Sequence, residues 1–409
     1  MDSTLSWAYR GRDSTDKVVK GRLTAKTEGA AILRLRSLGL SPISIVEVAA
    51  KTGLNRDIRI PGISRGVSLK DLAVMSRQMA TMTSAGLTLL RTLYILAEQT
   101  TQTQLAAVLT TIRTDVETGL SLSDAMVRHK TVFPPIMINL VKAGETGGFL
   151  EDSLNSIAEN FEAEVKLRDT IKSALAYPVI VLIMAVVAVI GMLIFIVPVF
   201  EGMFADLGGA LPLPTQILVV LSGLMVWLTP VLIVLGVVFA FWWRKNKHTD
   251  RVRRIIDPVK LKLPVFGDLL TKLAVARFSR NFATMIGAGV PILQSLAIVG
   301  ETSGNWVVEN ALRKVQSSVS LGRSIAGPLS LEPVFPAMVT QMIAVGEDAG
   351  ALEQMLTKIA DFYDQEVQAT TEQLTALIEP LMIAFIGIVI GGMVVALYLP
   401  MFTIFDYVK

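Results

Sequence analysis

The chain has 409 residues, of which 52% are hydrophobic and 18% are charged, and its formal net charge is +3. This composition is too apolar for an ordinary soluble protein, but charged segments separate the apolar runs, which predicts a membrane protein with sizeable soluble portions. The absence of cysteine excludes disulfides, thiolate metal sites and cysteine nucleophiles. No basic patch interleaved with aromatic residues is present, so we expect no nucleic-acid binding.

Residues 1–54 predict a small α+β unit, followed by a linker at 55–68 that contains Pro61 and Gly62. Alternating polar and apolar residues predict strands, and the apolar pattern between them predicts a helix. The predicted strands are Leu5 to Arg10, Lys17 to Leu23 and Ile43 to Val48, and the predicted helix is Thr27 to Ser37. No basic segment leads into an apolar one at the start, so we expect no cleavable signal peptide and a cytoplasmic N-terminus.

Three apolar runs contain no acidic or basic side chain and are predicted to be transmembrane helices, at 178–200, 217–243 and 380–401. Each is long enough, because about 20 helical residues cross a hydrocarbon core of roughly 30 Å. An external loop is predicted at 201–216 and an external tail at 402–409.

Charge on either side of the second predicted span indicates its direction. The loop before it holds Glu201 and Asp206 but no lysine or arginine, whereas the connector at 244–271 opens with a basic cluster just after Trp243. The topology-setting residues are Arg244, Lys245, Lys247, Arg251, Arg253 and Arg254. Because basic residues flank the cytoplasmic ends of spans, this helix is predicted to run from outside to inside, with the connector in the cytoplasm.

The chain contains an internal repeat. Arg77 to Met82 resembles Arg280 to Met285, and equivalent matches continue through both copies. Each copy comprises a predicted cytoplasmic helical bundle, at 69–177 or 272–379, and the span after it, while the second span has no counterpart. One unpaired span returns the chain to the cytoplasm, so the repeats are parallel, unlike those of inverted-repeat transporters.

Glycine and proline punctuate both predicted bundles. Gly86 and Gly289 lie between helical patterns, where a left-handed glycine ends one helix and a proline such as Pro291 begins the next. Gly144 and Gly346 open two further helix-to-helix turns, the second of which closes at Gly350. We interpret these residues as structural.

Acidic residues accompany those two turns. Glu145 and Glu347 lie in the turns, and Glu151 and Glu353 lie at the start of the next helices. Carboxylates at a helix N-terminus stabilise the helix dipole, and the acidic residues of both turns are also candidates for docking a partner or a cation. Both explanations remain open from the sequence.

The helices that lead into the first and third spans carry apolar stripes, which include Phe161 and Tyr363 and are typical of a bundle core. Pro178 and Pro380 lie at the membrane entry, where proline kinks a continuous helix and a tilt could be transmitted. Gly387 and Gly391 form a GxxxG pattern, which lets helices approach closely, either within the chain or between subunits.

Enzyme signatures are absent from the sequence. There is no phosphate-binding glycine loop with a lysine, and His129 and His248 are not part of a ligand-spaced cluster. The sequence therefore predicts a protein that is not an enzyme, has no cofactor or metal, and neither binds nor hydrolyses nucleotide.

With these motifs assembled, the chain resembles the PilC/GspF family of inner-membrane platform proteins, found in type IV pilus and type II secretion machines. The resemblance covers nearly the whole chain: both Arg-x-x-Ala-Thr-Met segments, both Gly-Glu turns and the Leu211 to Thr215 loop. The loop and the C-terminal tail are more similar to the pilus branch. One departure is Leu87-Thr88, where the second copy has the Val290-Pro291 pair that is frequent in the family; we expect a softer helix start there.

The resemblance implies a mostly α, polytopic protein of the bacterial inner membrane with three spans and two homologous cytoplasmic bundles. It implies that a hexameric assembly ATPase engages the bundles, and that the protein guides pilin or pseudopilin subunits, contacts other machine components and forms a homo-oligomer, with a dimer favoured. The equivalent role in type II secretion is the main alternative. A transporter subunit is the remote one, because transport pathways usually need ionisable residues or broken helices within the spans.

Overall fold

The computed structural model describes residues 5–12, 18–25, 27–37, 41–47, 66–205, 211–247, 249–264 and 266–407. It divides into two units between Arg65 and Gly66, within the segment predicted as a linker.

The described part of the N-terminal unit is a three-stranded antiparallel sheet with one helix. Its elements are β1 (Leu5–Arg12), β2 (Val18–Ala25), α1 (Glu28–Ser37) and β3 (Ser41–Glu47). Strand β1 is central, and its Trp7 pairs with Leu23 on one side and Glu47 on the other. Ala31 and Leu35 of α1 are buried, and their four-residue spacing places them on one face of the helix.

Unit two begins with the helices of the first repeat. They are α2 (Leu69–Ser84), α3 (Leu89–Gln99), α4 (Thr103–Glu117), α5 (Leu122–Val127), α6 (Pro135–Gly147) and α7 (Leu150–Gly191). A π-helical segment (Met192–Ile196) and α8 (Val197–Ala205) extend α7. Helix α2 starts where the helical pattern predicts, because Ser68 and Asp71 form a reciprocal capping box.

Two helices separate the repeats: α9 (Leu213–Asn246) and α10 (Asp250–Lys262). The second repeat follows as α11 (Phe266–Gly287), α12 (Ile292–Thr302), α13 (Trp306–Val319), α14 (Ala326–Leu329), α15 (Ala337–Asp348) and α16 (Leu352–Tyr407). The helices extend beyond the predicted spans into the segments that connect or follow them. Helix α8 includes Glu201 to Ala205 of the predicted loop, α9 begins at Leu213, and α16 continues through the predicted tail as far as Tyr407.

The apolar stripes form the bundle core, as predicted. Ile157 of α7 and Ile359 of α16 are completely buried, and Phe161 and Tyr363 occupy equivalent places on the same two helices. A single apolar cluster joins both repeats, because α7 and α16 pack against each other as well as against their own bundles.

Three helical segments are long and apolar enough to cross a membrane: Leu150–Met203, Leu213–Asn246 and Leu352–Phe402. They meet in a second, smaller apolar cluster, which consists of Leu193, Val197, Leu218, Met393, Ala396 and Leu397. Most of their other apolar side chains are exposed on the chain, as expected for surfaces that face lipid.

Candidate functional site

The carboxylates of the two Gly-Glu segments perform the same structural task in both repeats. Glu145 accepts hydrogen bonds from the backbone N–H groups of Leu122 and Ser123, at 2.5 and 3.0 Å. Glu347 accepts from Ile325 and Ala326, at 2.6 and 2.8 Å. Each half-buried carboxylate therefore satisfies backbone donors at the first turn of the short helix in its bundle, which would otherwise lack partners.

Glu151 and Glu353 are placed differently. Both are exposed in the first turn of the long helices α7 and α16. Of the four predicted docking residues, these two present their carboxylates at the surface, and their positions in the two repeats are equivalent.

The glycines predicted at helix-to-helix turns divide into two kinds in the structure, and only one kind lies in a turn. Gly86 and Gly289 have φ angles of +83° and +71°, and Gly350 has +65°, so these positions need the left-handed region that glycine adopts readily. Gly144 and Gly346 instead lie within α6 and α15, where they allow close helix packing. A Cβ at Gly144 would lie 2.5 Å from Ser153 Oγ and 2.9 Å from the Cα of Leu150.

The helices after Gly86 and Gly289 start by different means. In the second repeat Pro291 is the N-cap of α12 and forms no side-chain cap hydrogen bond. In the first repeat Thr88 is the N-cap of α3, and its hydroxyl accepts from the N–H of Arg91 at 3.4 Å. The first repeat thus starts its helix with a capping hydrogen bond to threonine, whereas the second repeat uses the fixed φ angle of proline.

Polar contacts connect the two repeats across their packed helices. The buried amide of Asn160 donates to Asn281 Oδ1 at 3.0 Å and to Thr284 Oγ1 at 3.1 Å. Arg277 of α11 lies 3.4 Å from Glu164 of α7, and burial lowers the pKa of Arg277 while Glu164 opposes that shift. Sequence reasoning missed Asn160 as an inter-repeat residue; its signal was a polar residue beside the buried stripe of α7.

An ion pair between the first and last long helix of each bundle occurs in both repeats. Arg77 donates to both oxygens of Glu162 at 2.8 Å, and Arg280 pairs with Asp364 at the equivalent place. The hydrogen bond from Arg77 lowers the pKa of the exposed Glu162. Burial raises the pKa of Asp364, against the opposing charge of Arg280.

The predicted membrane residues lie within continuous helices. Pro178 is inside α7 and Pro380 inside α16, so each bundle is joined to its span without a loop. Gly387 and Gly391 are exposed, and a Cβ at either would meet no heavy atom of the described residues within 4 Å. The GxxxG face is therefore not used in packing among the described spans.

Two hydroxyls connect the spans. Ser222 Oγ of α9 donates to the carbonyl of Leu193 in the π-helical segment, and Thr215 Oγ1 donates to the carbonyl of Ala396, each at 2.5 Å. Such hydrogen bonds satisfy both the side chain and the backbone acceptor where no water is available.

The basic cluster after the second span is divided between two helices. Arg244 and Lys245 lie in the last turn of α9, and Lys247 follows it. Arg251, Arg253 and Arg254 belong to α10. Arg253 is more than a topology signal, because it pairs with Glu309 of α13 at 2.8 Å.

Within the described residues, no group of three or more His, Cys, Asp or Glu side chains could hold a metal ion.

The chain matches known proteins along most of its length. The family model of type II secretion system protein F matches residues 75–198 and 278–400, and the model of that protein's N-terminal domain matches residues 5–46. The two longer matches correspond to the two repeats.

Curated relatives come from both machines. The type IV pilus assembly protein PilC of Thermus thermophilus is 43% identical over 97% of this chain and 98% of that protein. The protein of the same name from Myxococcus xanthus is 43% identical over 98% of this chain and 95% of its own length. The type II secretion system protein F of Vibrio cholerae is 30% identical over 97% of each.

Proposed function

The chain belongs to the type II secretion system protein F family, which includes the PilC pilus assembly proteins, and from this membership we propose that it is the inner-membrane platform of a type IV pilus assembly machine. The observation that carries the pilus assignment is the 43% identity to PilC over nearly the full chain, against 30% to the secretion protein F. In this role the platform couples a hexameric cytoplasmic ATPase to the insertion of pilin subunits into a filament.

The long helices provide the mechanical connection for this role. Helix α7 has 42 residues and α16 has 56, and each has one end in a bundle and the other in a span. At 1.5 Å per residue these helices are about 60 and 85 Å long. Because no loop intervenes, a displacement of the bundle end tilts the span, and Pro178 and Pro380 are the positions at which the helices bend most easily.

Docking of the ATPase is proposed at the first turns of these same helices, through Glu151 and Glu353. Their exposure makes them available, and a charge at an interface contributes to partner choice and association rate. Docking through Glu145 and Glu347 is also predicted and stays a prediction. It is less favoured than docking through Glu151 and Glu353, because the carboxylates of Glu145 and Glu347 each already accept two backbone hydrogen bonds.

Charge reversal tests whether Glu151 and Glu353 dock the ATPase while Glu145 and Glu347 act as structural caps. Glu151→Lys and Glu353→Lys are each expected to leave the membrane protein level close to that of wild type, because exposed substitutions cost little stability apart from a modest loss at the helix dipole. They are expected to reduce co-purification with the assembly ATPase and to abolish filaments. Glu145→Gln and Glu347→Gln are the structural controls, with a lowered protein level expected. Unchanged ATPase association in both reversals would contradict docking at these turns.

The proposed topology places both bundles in the cytoplasm and the 201–216 loop outside. Its support is the basic cluster at the end of α9, opposite a loop without lysine or arginine. Reporter fusions at Asp13 and near Ser318 should give cytoplasmic signals, and one at Gly208-Gly209 an external signal; Asp13 and Gly208-Gly209 lie outside the described residues. A cytoplasmic signal from Gly208-Gly209 would exclude this topology.

A homo-oligomer, with a dimer favoured, completes the proposal. Gly387 and Gly391 support it, because their exposed face allows the close approach of a second helix in lipid. Replacing both with leucine should lower the oligomer mass in detergent, whereas Gly223→Leu, at another open position in a span, should not.

The neighbouring genes separate pilus assembly from type II secretion. Pilin and assembly-ATPase genes beside this one are expected, and a set of secretion genes instead would favour the alternative.

A further inference from the structure

Helix α10 is fixed to the second bundle by one face. Its Arg253 pairs with Glu309 of α13, and Asp257 Oδ2 accepts from the backbone N–H of Trp306 at 3.0 Å. Leu261, about one turn after buried Asp257 and therefore on the same side of the helix, packs against the main apolar cluster. This face holds α10 against the start of α13.

The opposite face of α10 is apolar and exposed. Ile255 is 66% exposed, Val259 is 56% exposed, and Leu263, directly after the helix, is 46% exposed. Their spacing of four residues aligns them along one side, where a helix facing water would carry polar residues. Exposed Arg251 lies one turn before Ile255, and exposed Lys262 lies three residues after Val259 and directly before Leu263.

Helix α10 begins close to the end of a membrane span. Only three residues separate the end of α9 at Asn246 from the start of α10 at Asp250. Trp243 and Lys247 of the span end line a cavity of about 360 Å³ together with Val252 and Ile256 of α10. The flank of α10 therefore faces the aromatic end of α9, the part of a span that normally lies at the level of the lipid headgroups.

We propose that α10 is an interfacial membrane helix that binds anionic phospholipid. Its Ile255, Val259 and Leu263 lie in the boundary between headgroups and acyl chains of the leaflet in which α9 ends. Arg251 and Lys262 bind the phosphates of the headgroups. An amphipathic helix with basic flanks binds a bilayer in this way, by apolar burial combined with attraction to anionic lipid.

This contact has a consequence for the second bundle. The face of α10 that turns away from lipid supplies Asp257 to the N-terminus of α13 and Arg253 to Glu309. The lipid contact therefore sets the position of the second bundle relative to the membrane, independently of the helical connection through α16.

The natural absence of cysteine makes a direct depth measurement possible. Full-length Ile255→Cys and Val259→Cys variants would be spin-labelled and reconstituted in vesicles of phosphatidylcholine with phosphatidylglycerol. The matched control is Leu321→Cys, which is 78% exposed and lies beyond the end of α13 opposite to Trp306. Collision with lipid-soluble oxygen and with a water-soluble nickel chelate is then compared at the three positions.

Labels at Ile255 and Val259 are expected to collide preferentially with oxygen, and the Leu321 label with the nickel chelate. Preference for the chelate at all three positions would overturn the proposal. Protection of Ile255 and Val259 from both reagents would overturn it too, because it would assign the face to a protein contact.

The headgroup contact is tested in the same labelled proteins. Omitting phosphatidylglycerol should reduce the oxygen preference at Ile255, and the Arg251→Gln, Lys262→Gln double variant should lose this dependence on lipid charge. An equal dependence in the double variant would exclude these two residues as the anionic-lipid contact.

Discussion

At the scale of single residues, paired positions in the two repeats keep a structural role even where the side chains differ. Glu145 and Glu347 both bind the first turn of a short helix, and Arg77 and Arg280 both pair with a carboxylate on the long helix. These shared contacts constrain each bundle from within, so they limit which residues are available to a partner.

Gly144→Ala is expected to destabilise the protein by about 1–3 kcal/mol, because the new methyl group would overlap Ser153 and the backbone of Leu150. Gly346→Ala, whose nearest contacts lie at 3.1 Å, should cost less. Thermal unfolding in detergent measures both. Gly29→Ala, a helical position with open space around it, is the control, and an equal loss there would contradict the packing explanation.

Glu162→Gln is expected to lower stability at neutral pH by under about 1 kcal/mol, since the ion pair is exposed. Arg77 lowers the folded-state pKa of Glu162, so the wild type has this stabilisation above the unfolded pKa and loses it as the pH falls through the folded one. The difference between variant and wild type should therefore disappear on acidification. In an Arg77→Gln background, where the ion pair is already absent, Glu162→Gln should no longer show this pH-dependent difference.

At the scale of elements, helix starts and ends were readable because capping depends on local sequence. The left-handed glycines end α2 and α11 in the two repeats, and the helices that follow begin with either Thr88 or Pro291. A softer helix start is expected at Thr88. In the structure Thr88 caps the helix through its hydroxyl, and the hydrogen bond from the N–H of Arg91 to this hydroxyl is long, at 3.4 Å.

Thr88→Ala should lower stability by about 0.5–1 kcal/mol through loss of this cap. Thr88→Pro should be tolerated better, because Thr88 has a φ of −64° and proline favours that angle. Chemical unfolding of the two variants in detergent gives the comparison. A proline variant less stable than the alanine variant would show that the two repeats need different starts.

At the scale of the whole molecule, the two repeats have related sequences, but the contacts that pack one repeat against the other differ between the two copies. Asn160 has Phe362 as its repeat equivalent, and the hydrogen bonds that Asn160 donates to Asn281 and Thr284 of the other copy are ones that a phenylalanine side chain cannot make. The two bundles therefore form one asymmetric body around α7, α11 and α16.

Asn160→Ala is expected to cost about 1–3 kcal/mol, because it leaves buried polar atoms of Asn281 and Thr284 without this donor. A double-mutant cycle with Asn281→Ala should give a coupling of at least about 0.5 kcal/mol. Asn139→Ala removes an exposed inter-repeat hydrogen bond to Gln294 and should have a smaller effect. Additive losses for Asn160 and Asn281 would mean that the contact does not stabilise the packing of the repeats.

The sequence by itself determined the helical class, the duplication, the three spans and several helix starts and turns, such as those at Ser68, Gly86 and Gly289. These features depend on local periodicity, capping and apolar length, which each segment carries in its own residues. Only the tertiary structure decided that Glu145 and Glu347 are caps, that Asn160 joins the repeats, that the GxxxG face is open among the described spans, and that α10 has an exposed apolar face. Each of these depends on which distant segment lies opposite a side chain, and residues far apart in the chain do not record that in their local pattern.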